Sequence, residues 1–336
     1  MRKNYISVLN VIACFFVVVL HVNSDFWNYS SDLRWMSSNI VECIGYCAVP
    51  IFFMISGANL IGYEEKYNTK EYIKKRIKKT GIPYLAWTIF GIVFLIITKK
   101  INIDSLCISY LIDGIANSKF VDVYWFFIPL FGIYIGIIFC SLIPIGKRKR
   151  AYGALILWSG ITMSVLPTIF KIINIEYNYN LCAGLVNGYL IFPLIGYWVD
   201  NYDIKRKSRI LIYVLGIMGF GIHFFGTAFE SNAGTVSLLF KGYTNFPAIL
   251  YSAAIFVWFK YHNNYNEKII KIVNAVEKRT FGVYMIHIFI VKICIKIGLI
   301  NENLIAKLIA SVGIFPGTYI VVYAMQKTPI LRKIVP

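Results

Sequence analysis

Ten segments of the chain are long and apolar enough to cross a lipid bilayer, or nearly so. A membrane-crossing helix needs roughly 20 mostly apolar residues. The segments are residues 6–22, 40–61, 81–98, 124–145, 151–170, 181–199, 210–229, 246–259, 280–297 and 304–325. The eighth has only 14 residues and is the weakest of them. Because the connections are too short for a separate soluble unit, the pattern predicts an all-α integral membrane bundle of about ten transmembrane helices, one domain over residues 1–336.

The charged residues are few and unevenly distributed. They make up 15% of the chain, against about 25% in soluble domains, and 34 Lys and Arg face 16 Asp and Glu. If the segments alternate from a cytoplasmic N-terminus, 25 of the basic residues fall on the cytoplasmic side and 6 on the other. Since Lys and Arg concentrate in cytoplasmic loops, both termini are predicted to be cytoplasmic. The net charge of +18 therefore reflects the topology of a multi-pass plasma or inner membrane protein, and we expect no nucleic-acid partner.

Ionisable side chains inside a membrane are costly, so those in the predicted spans are candidates for function. His21 ends the first span, and Asn10 lies eleven residues earlier, which places both on one helix face. Glu42 lies near the outer end of the second span and is expected to be solvated. Lys292 and Lys296, one turn apart in the ninth span, are expected to reach outward to water.

Several common catalytic signatures are missing from the sequence. It contains no CxxC or Cys/His cluster with metal-ligand spacing, and no GxSxG, HExxH or Walker motif. The sequence therefore does not support assignment of the protein to the serine hydrolases, zinc proteases or ATPases. We predict no metal site and no tightly bound cofactor.

Five short patterns occur in order along the chain. They are Asn10-x10-His21, the segment VPIFFMISG at 49–57, Arg76-Ile-Lys-Lys79 with Pro83-Tyr84, Tyr124-Trp-Phe-Phe127, and Phe281-Gly-Val-Tyr-Met-Ile-His287. Together with the ten spans, they resemble the membrane-bound acyltransferase-3 family, whose bacterial members acylate surface polysaccharides. Two positions depart from the family pattern, because Asn10 and Lys79 stand where arginine is usual.

The resemblance implies an O-acyltransferase that moves an acyl group, most simply acetyl from acetyl-CoA, to a hydroxyl of a surface or lipid-linked glycan. In that chemistry His21 would be the general base, with Asn10 on the same helix face. The cytoplasmic cations Arg76, Lys79 and Lys75 would hold the phosphates of acyl-CoA. Direct transfer and an acetyl-His intermediate are both compatible with the sequence.

His287 is assigned a supporting role because of its predicted depth. With a rise of 1.5 Å per residue, His21 lies about 22 Å beyond the start of its predicted segment and His287 about 10 Å beyond the start of its own. The two side chains are therefore expected at different depths and not as a hydrogen-bonded pair.

Other functions are also compatible with a bundle of this kind. One alternative is a polytopic protein that translocates or polymerises lipid-linked glycan without acyl-CoA, and another is a transporter that uses intramembrane Glu and His. Besides the glycan, acyl-CoA and the lipid bilayer, a second copy of the chain in a homo-oligomer is a further candidate partner.

Overall fold

The fold was analysed from a computed structural model that describes residues 3–182, 186, 188–232, 234–301 and 303–336. This part of the chain is helical and contains no β-strand, only two isolated bridges, Asn28 to Thr235 and Asn232 to Thr235. Its α-helices are α1 (Asn4–Val22), α2 (Leu33–Gly45), α3 (Ala48–Leu60), α4 (Thr69–Arg76), α5 (Ile82–Ile97), α6 (Ile108–Ala116), α7 (Phe127–Ser141), α8 (Ile145–Gly160), α9 (Leu166–Ile172), α10 (Ile191–Asn201), α11 (Arg206–Glu230), α12 (Phe246–Tyr261), α13 (Glu267–Glu277), α14 (Thr280–Lys296) and α15 (Leu304–Gln326). The predicted all-α class is confirmed.

Seven helical stretches in the described residues are long and apolar enough to cross a membrane. They are Asn4–Val22, Leu33–Glu65, Thr69–Ile97, Asp122–Ser141, Ile145–Ile172, Arg206–Glu230 and Leu304–Gln326. The other three predicted spans contain the shorter helices α10, α12 and α14. In the predicted span 181–199, residues 183–185 and 187 lie outside the described part. The protein is thus a multi-pass membrane protein, while the total of ten spans stays a prediction.

Residues 66–79, which follow α3 and are rich in Lys and Arg, form a segment that we term the basic stretch. It is helical over most of its length. Asn68 caps it, because its side chain accepts a hydrogen bond from the Glu71 backbone N–H at 2.9 Å, and α4 therefore begins at Thr69. A π-helical segment, Ile77–Gly81, then joins α4 to α5. Pro83 explains this segment, since proline has no N–H to donate to the carbonyl four residues earlier.

Two glycines allow α3 and α10 to touch backbone to backbone. A Cβ atom on Gly57 would lie 1.9 Å from the carbonyl oxygen of Pro193, and one on Gly196 would lie 1.9 Å from that of Met54. No side chain fits at either position. Small residues at such crossings let membrane helices approach closely. This crossing holds α3 in the centre of the bundle, beside α1.

Contacts between loops define two ends of the bundle. At the end where α1 begins, which we term the basic end, Lys3 pairs with Asp200 at 2.7 Å and Lys260 donates to the carbonyl of Tyr202 at 2.8 Å. At the opposite end, termed the far end, Lys307 pairs with Asp25. The N-terminus, the loop after α10 and the end of α12 therefore meet at the basic end.

We expect site-directed cysteine labelling to place that end in the cytoplasm. Probes at residues 66–79, 147–150 and 205–209 and after Lys327 should be reached only from the cytoplasmic side, because clustered Lys and Arg stay inside. Probes at residues 24–38 and 230–245 should be reached from the opposite side. One basic cluster labelled from outside would contradict the ten-span topology.

Candidate functional site

The side chains of His21 and His287 lie together in the bundle. Their ring centroids are 5.3 Å apart, with an angle of 41° between the ring planes. His21 stands at the end of α1 and is half-buried, whereas His287 lies in the middle of α14 and is fully buried. The expectation that different depths keep the two side chains apart is therefore wrong, although no hydrogen bond joins the two rings in the described structure.

The error comes from the relative starting depth of the two helices. The start of α14 is level with Asn10, not with the start of α1: the Thr280 hydroxyl donates to Asn10 Oδ1 at 3.4 Å. Measured from this common level, His21 lies about 16 Å along α1 and His287 about 10 Å along α14. The remaining difference of about 6 Å is within the reach of two imidazole side chains on tilted helices.

The hydrogen bonds of His287 determine its tautomer. Nδ1 lies 2.7 Å from the carbonyl oxygen of Tyr284 and 3.2 Å from that of Val283. Carbonyl oxygens only accept, so Nδ1 carries the proton and Nε2 presents its lone pair. Nε2 is buried and has no hydrogen-bond partner in the described part of the chain. It is therefore an acceptor within a short distance of the His21 ring.

His21 opens onto a cavity of about 640 Å³ at the far end, which we term the far cavity. Its other polar lining residues include Glu42, Asp122 and Lys241. Asp122 pairs with Lys292 at 3.0 Å at the rim, so Lys292 reaches toward water as expected but has a partner there. The far cavity thus combines one imidazole with charged groups and is open to the end opposite the basic loops.

Glu42 and Lys241 form a buried ion pair beside this cavity. The Lys241 ammonium lies 3.0 Å from Glu42 Oε1, and the two residues are only 1% and 3% exposed. The ammonium also lies 3.9 Å from the ring centroid of Tyr46 and 4.6 Å from that of Phe26. Burial lowers the pKa of Lys241, and the neighbouring carboxylate opposes that shift. The expectation of a solvated Glu42 is wrong, because the loop between α11 and α12 folds over it.

Stacked aromatic rings form one wall of the far cavity. Tyr46 and Tyr243 are parallel within 6° with ring centroids 4.0 Å apart, and Trp125 stacks on Tyr243 at 5.3 Å. Tyr189, Trp27 and Trp125 also line the cavity. Lys241, two residues from Tyr243, anchors the loop that supplies the middle ring. Tyr46 is buried within this wall, whereas Tyr243 and Trp125 are partly exposed.

A second cavity, of about 430 Å³, lies at the basic end, and we term it the donor-side cavity. Asn10, Arg76 and Lys79 line it. Arg76, Lys79 and Thr80 share one helix face, and Pro83 just beyond them produces the π-helical turn. Lys75 points elsewhere: it pairs with Glu71 at 2.8 Å and lies 3.6 Å from the ring centroid of Tyr67.

Two tyrosines hold the Arg76 guanidinium in place. It lies 5.7 Å from the ring centroid of Tyr72 and 5.5 Å from that of Tyr134. Tyr72 in turn donates to the Tyr134 carbonyl at 3.1 Å. Arg76 Nε is buried and no described residue accepts a hydrogen bond from it. The arginine is therefore positioned in advance, with donor capacity that the protein itself leaves unused.

Asn10 belongs to the donor-side cavity and not to the neighbourhood of His21. Its Nδ2 donates to Glu277 Oε1 at 3.2 Å. The shared face of α1 predicted from the sequence does point inward at both positions, but it lines one cavity at Asn10 and another at His21.

Phe126 and Tyr284 line both cavities and form the wall between them. Tyr284 is held by its hydroxyl, which donates to the Val123 carbonyl at 2.5 Å. A reciprocal bond runs from the Tyr124 hydroxyl to the Met285 carbonyl at 2.7 Å. These bonds fasten the 3-10 turn Asp122–Phe126 to α14, which explains how two distant sequence patterns build one site.

The sequence singled out neither Asp122 nor Lys241 as a site residue. Asp122 stands two residues before the Tyr124-Trp125 pattern, and that proximity is a signal that could have drawn attention to it. Lys241 counted only as one of the few basic residues on the outer side. Its partner Glu42 is 199 residues away, and no local pattern links the two.

The chain is similar to one known protein family. A family model described as an acyltransferase domain, of the acyltransferase-3 type, matches residues 3–326. No curated protein and no solved structure matches the chain.

Proposed function

The chain belongs to the acyltransferase-3 family and is a membrane acyltransferase, and from this premise we propose that it transfers an acetyl group from acetyl-CoA to a hydroxyl of a surface or lipid-linked glycan. In this proposal acyl-CoA enters the donor-side cavity from the cytoplasm. The glycan enters the far cavity from the opposite side of a plasma or inner membrane. The acyl group crosses the wall between the two cavities.

The observation that carries the proposal is the pair of cavities on either side of Phe126 and Tyr284. One contains Arg76 and Lys79, and the other contains His21. Acyl-CoA has a phosphate-bearing end that cannot enter lipid and a long neutral arm that ends in the thioester. Cations at one end and a base at the other fit a donor that spans this length of the bundle.

The donor arm requires the wall to open. Phe126 stacks on Phe53 with ring centroids 4.7 Å apart and is held only by apolar contacts of this kind, whereas Tyr284 is tied to Val123 by a hydrogen bond. The Phe126 ring is thus the part of the wall whose movement breaks no hydrogen bond. In the proposed reaction it makes way for the thioester.

His21 supplies the base for the transfer. A sugar hydroxyl is a poor nucleophile at neutral pH, and a neutral imidazole can accept its proton. The hydroxyl oxygen bonds to the thioester carbonyl carbon, the carbon–sulfur bond breaks, and the proton held by His21 passes to the departing CoA sulfur. In the alternative route a His21 ring nitrogen bonds to the thioester carbonyl carbon as the carbon–sulfur bond breaks, giving acetyl-His21 and the CoA thiolate. The sugar hydroxyl oxygen then bonds to the acetyl carbon, the carbon–nitrogen bond breaks, and the hydroxyl proton passes to the thiolate.

His287 acts on His21 and not on the substrate. It lines neither cavity, and its Nε2 lone pair can accept a proton of the His21 ring. If His287 accepts a hydrogen bond from the N–H of one His21 ring nitrogen, the other His21 nitrogen is left as the acceptor that faces the far cavity. His287 is therefore a positioning residue in this proposal.

The aromatic wall supports a sugar as the acceptor. The C–H groups on one face of a sugar ring pack well against a flat aromatic ring, and the partly exposed Trp125, which is the outer ring of the stack, offers such a face. Asp122 at the rim can accept hydrogen bonds from sugar hydroxyls.

Binding of acetyl-CoA to the purified, full-length protein tests the donor. Acetyl-CoA should raise the unfolding temperature, because a ligand of the native state stabilises it by mass action. Arg76→Ala should weaken that binding about 10- to 100-fold, since a charge-assisted hydrogen bond to phosphate contributes about 1.5–3 kcal/mol.

The matched control is Lys66→Ala with Lys70→Ala. These two lysines are exposed on the same basic stretch and line no cavity, so donor affinity should stay unchanged. Equal losses of acetyl-CoA affinity in the Arg76 variant and in the control would mean that the basic stretch serves only to orient the protein in the membrane. No stabilisation of the folded protein by millimolar acetyl-CoA would contradict the donor.

A further inference from the structure

Another cavity, of about 460 Å³, adjoins the donor-side cavity at the basic end, and the proposed transfer does not yet use it. Four cationic side chains line it: Lys278, Arg279, Lys327 and Arg332. No acidic side chain is among its described lining residues. We term it the second basic cavity.

The second basic cavity shares lining residues with the donor-side cavity. Lys278 and Pro336 line both. The end of the chain folds back to make this arrangement, because Gln326 donates to the Val335 carbonyl at 2.9 Å and Trp87 donates to the Ile334 carbonyl at 3.0 Å. A ligand that occupies the donor-side cavity can therefore extend into the second one without leaving the protein surface.

Arg279 lines this cavity, and part of its hydrogen-bond donor capacity is unused. Its Nη1 donates to the Ala275 carbonyl at 2.8 Å and to the Tyr319 hydroxyl at 3.0 Å. Its Nε is buried, with no partner among the residues described. Orientation in the membrane requires basic loops but does not require an arginine fixed beside a cavity. This geometry indicates an anion site.

An exposed aromatic ring lies among the cations. Tyr323 is 43% exposed, and both the Arg279 guanidinium and the Lys327 ammonium lie 4.8 Å from its ring centroid. A ring of this kind offers a face for stacking a nucleobase, while the neighbouring cations suit phosphate groups. Aromatic and cationic groups together point to a nucleotide rather than to a simple anion.

We propose that the second basic cavity binds the nucleotide end of acyl-CoA, with the adenine on Tyr323 and the 3′-phosphate on Lys327 and Arg332. This inference rests on the proposed donor and extends it. Arg76 and Lys79 then hold the diphosphate, at the point where the neutral arm turns into the bundle. The cations of the two cavities thereby divide the three phosphate groups of the ligand between them.

Comparison of CoA with 3′-dephospho-CoA tests the assignment. Affinities are measured on the full-length protein in nanodiscs of uncharged lipid. The wild type should bind CoA about tenfold more tightly, and Lys327→Ala with Arg332→Ala should weaken CoA about tenfold while leaving 3′-dephospho-CoA unchanged. Tyr323→Leu should weaken both ligands. Because these side chains are exposed, the variants should fold, which the unfolding temperature checks.

The control variant is Lys205→Ala with Arg206→Ala, an exposed basic pair at the same end of the bundle that should leave both affinities unchanged. If the wild type binds CoA but the Lys327/Arg332 variant keeps the full preference for CoA over 3′-dephospho-CoA, the second basic cavity is not the nucleotide site. The proposed donor would still stand. An effect of that variant seen only with anionic lipid would assign the cavity to a lipid phosphate and overturn the inference. Failure of the wild type to bind either ligand would instead contradict the proposal that acyl-CoA is the donor.

Discussion

Replacing His21 with glutamine is expected to slow acyl transfer by about 10²–10⁴-fold while acetyl-CoA still binds at the basic end. Glutamine keeps the size and hydrogen-bonding capacity of the side chain but is not a base near neutral pH. Donor affinity should be preserved because the cations proposed to hold the donor line the donor-side cavity together with Asn10, which lies about 16 Å from His21 along α1. Transfer rate and donor affinity therefore have to be measured separately.

Two further variants give this experiment its internal controls. His287→Ala should lower the rate less than His21→Gln, because it removes the proposed acceptor for a His21 ring proton but leaves the base in place. Asn10→Ala should act on donor binding rather than on the proton transfer, because its side chain lies in the donor-side cavity with Glu277. Near-normal turnover in a well-folded His21→Gln protein would remove His21 from the mechanism.

The second large effect concerns stability. Lys241→Met should lower the free energy of unfolding by about 3–5 kcal/mol, because it leaves the Glu42 carboxylate buried without its counter-charge. Removing both charges, with Glu42→Gln and Lys241→Met, should restore much of the loss. The measurement is the unfolding midpoint of the detergent-purified protein, read together with susceptibility to proteolysis.

The matched control is Lys171→Met, which changes an exposed lysine at the same end of the bundle. Its effect should be small, because surface substitutions are usually within about 0.5 kcal/mol. If Lys241→Met destabilises no more than this control, or if the double variant is less stable than either single one, the buried ion pair does not stabilise the loop that carries Tyr243.

Some properties of this protein followed from local sequence alone. The apolar segments predicted the all-helical membrane class, since a span must satisfy its own backbone hydrogen bonds. The short patterns around His21, Arg76, Tyr124 and His287 indicated the acyltransferase family, which the match over residues 3–326 confirms. Periodicity along α1 also predicted correctly that Asn10 and His21 face inward.

Other properties depended on how the helices are placed against one another. The depth of His287 relative to His21 is set by where α14 begins beside α1, and a sequence records the length of each helix but not the offset between two. Lys75 and Lys79 look equivalent in the sequence, yet only Lys79 lines the donor-side cavity, because the direction of each side chain depends on the π-helical turn and on local partners.

The Glu42–Lys241 pair is the clearest case of this difference. Each residue alone looks like a solvated charge near a loop, and each would be costly to bury alone. Only the folding of the loop between α11 and α12 against α2 brings the two within 3.0 Å and encloses them among aromatic rings.

The sequence by itself therefore determined the membrane class, the family and the inward helix faces, because these depend on local composition and period. The tertiary structure alone decided which distant side chains meet, because the depth, tilt and loop closure that join them are properties of the packed bundle.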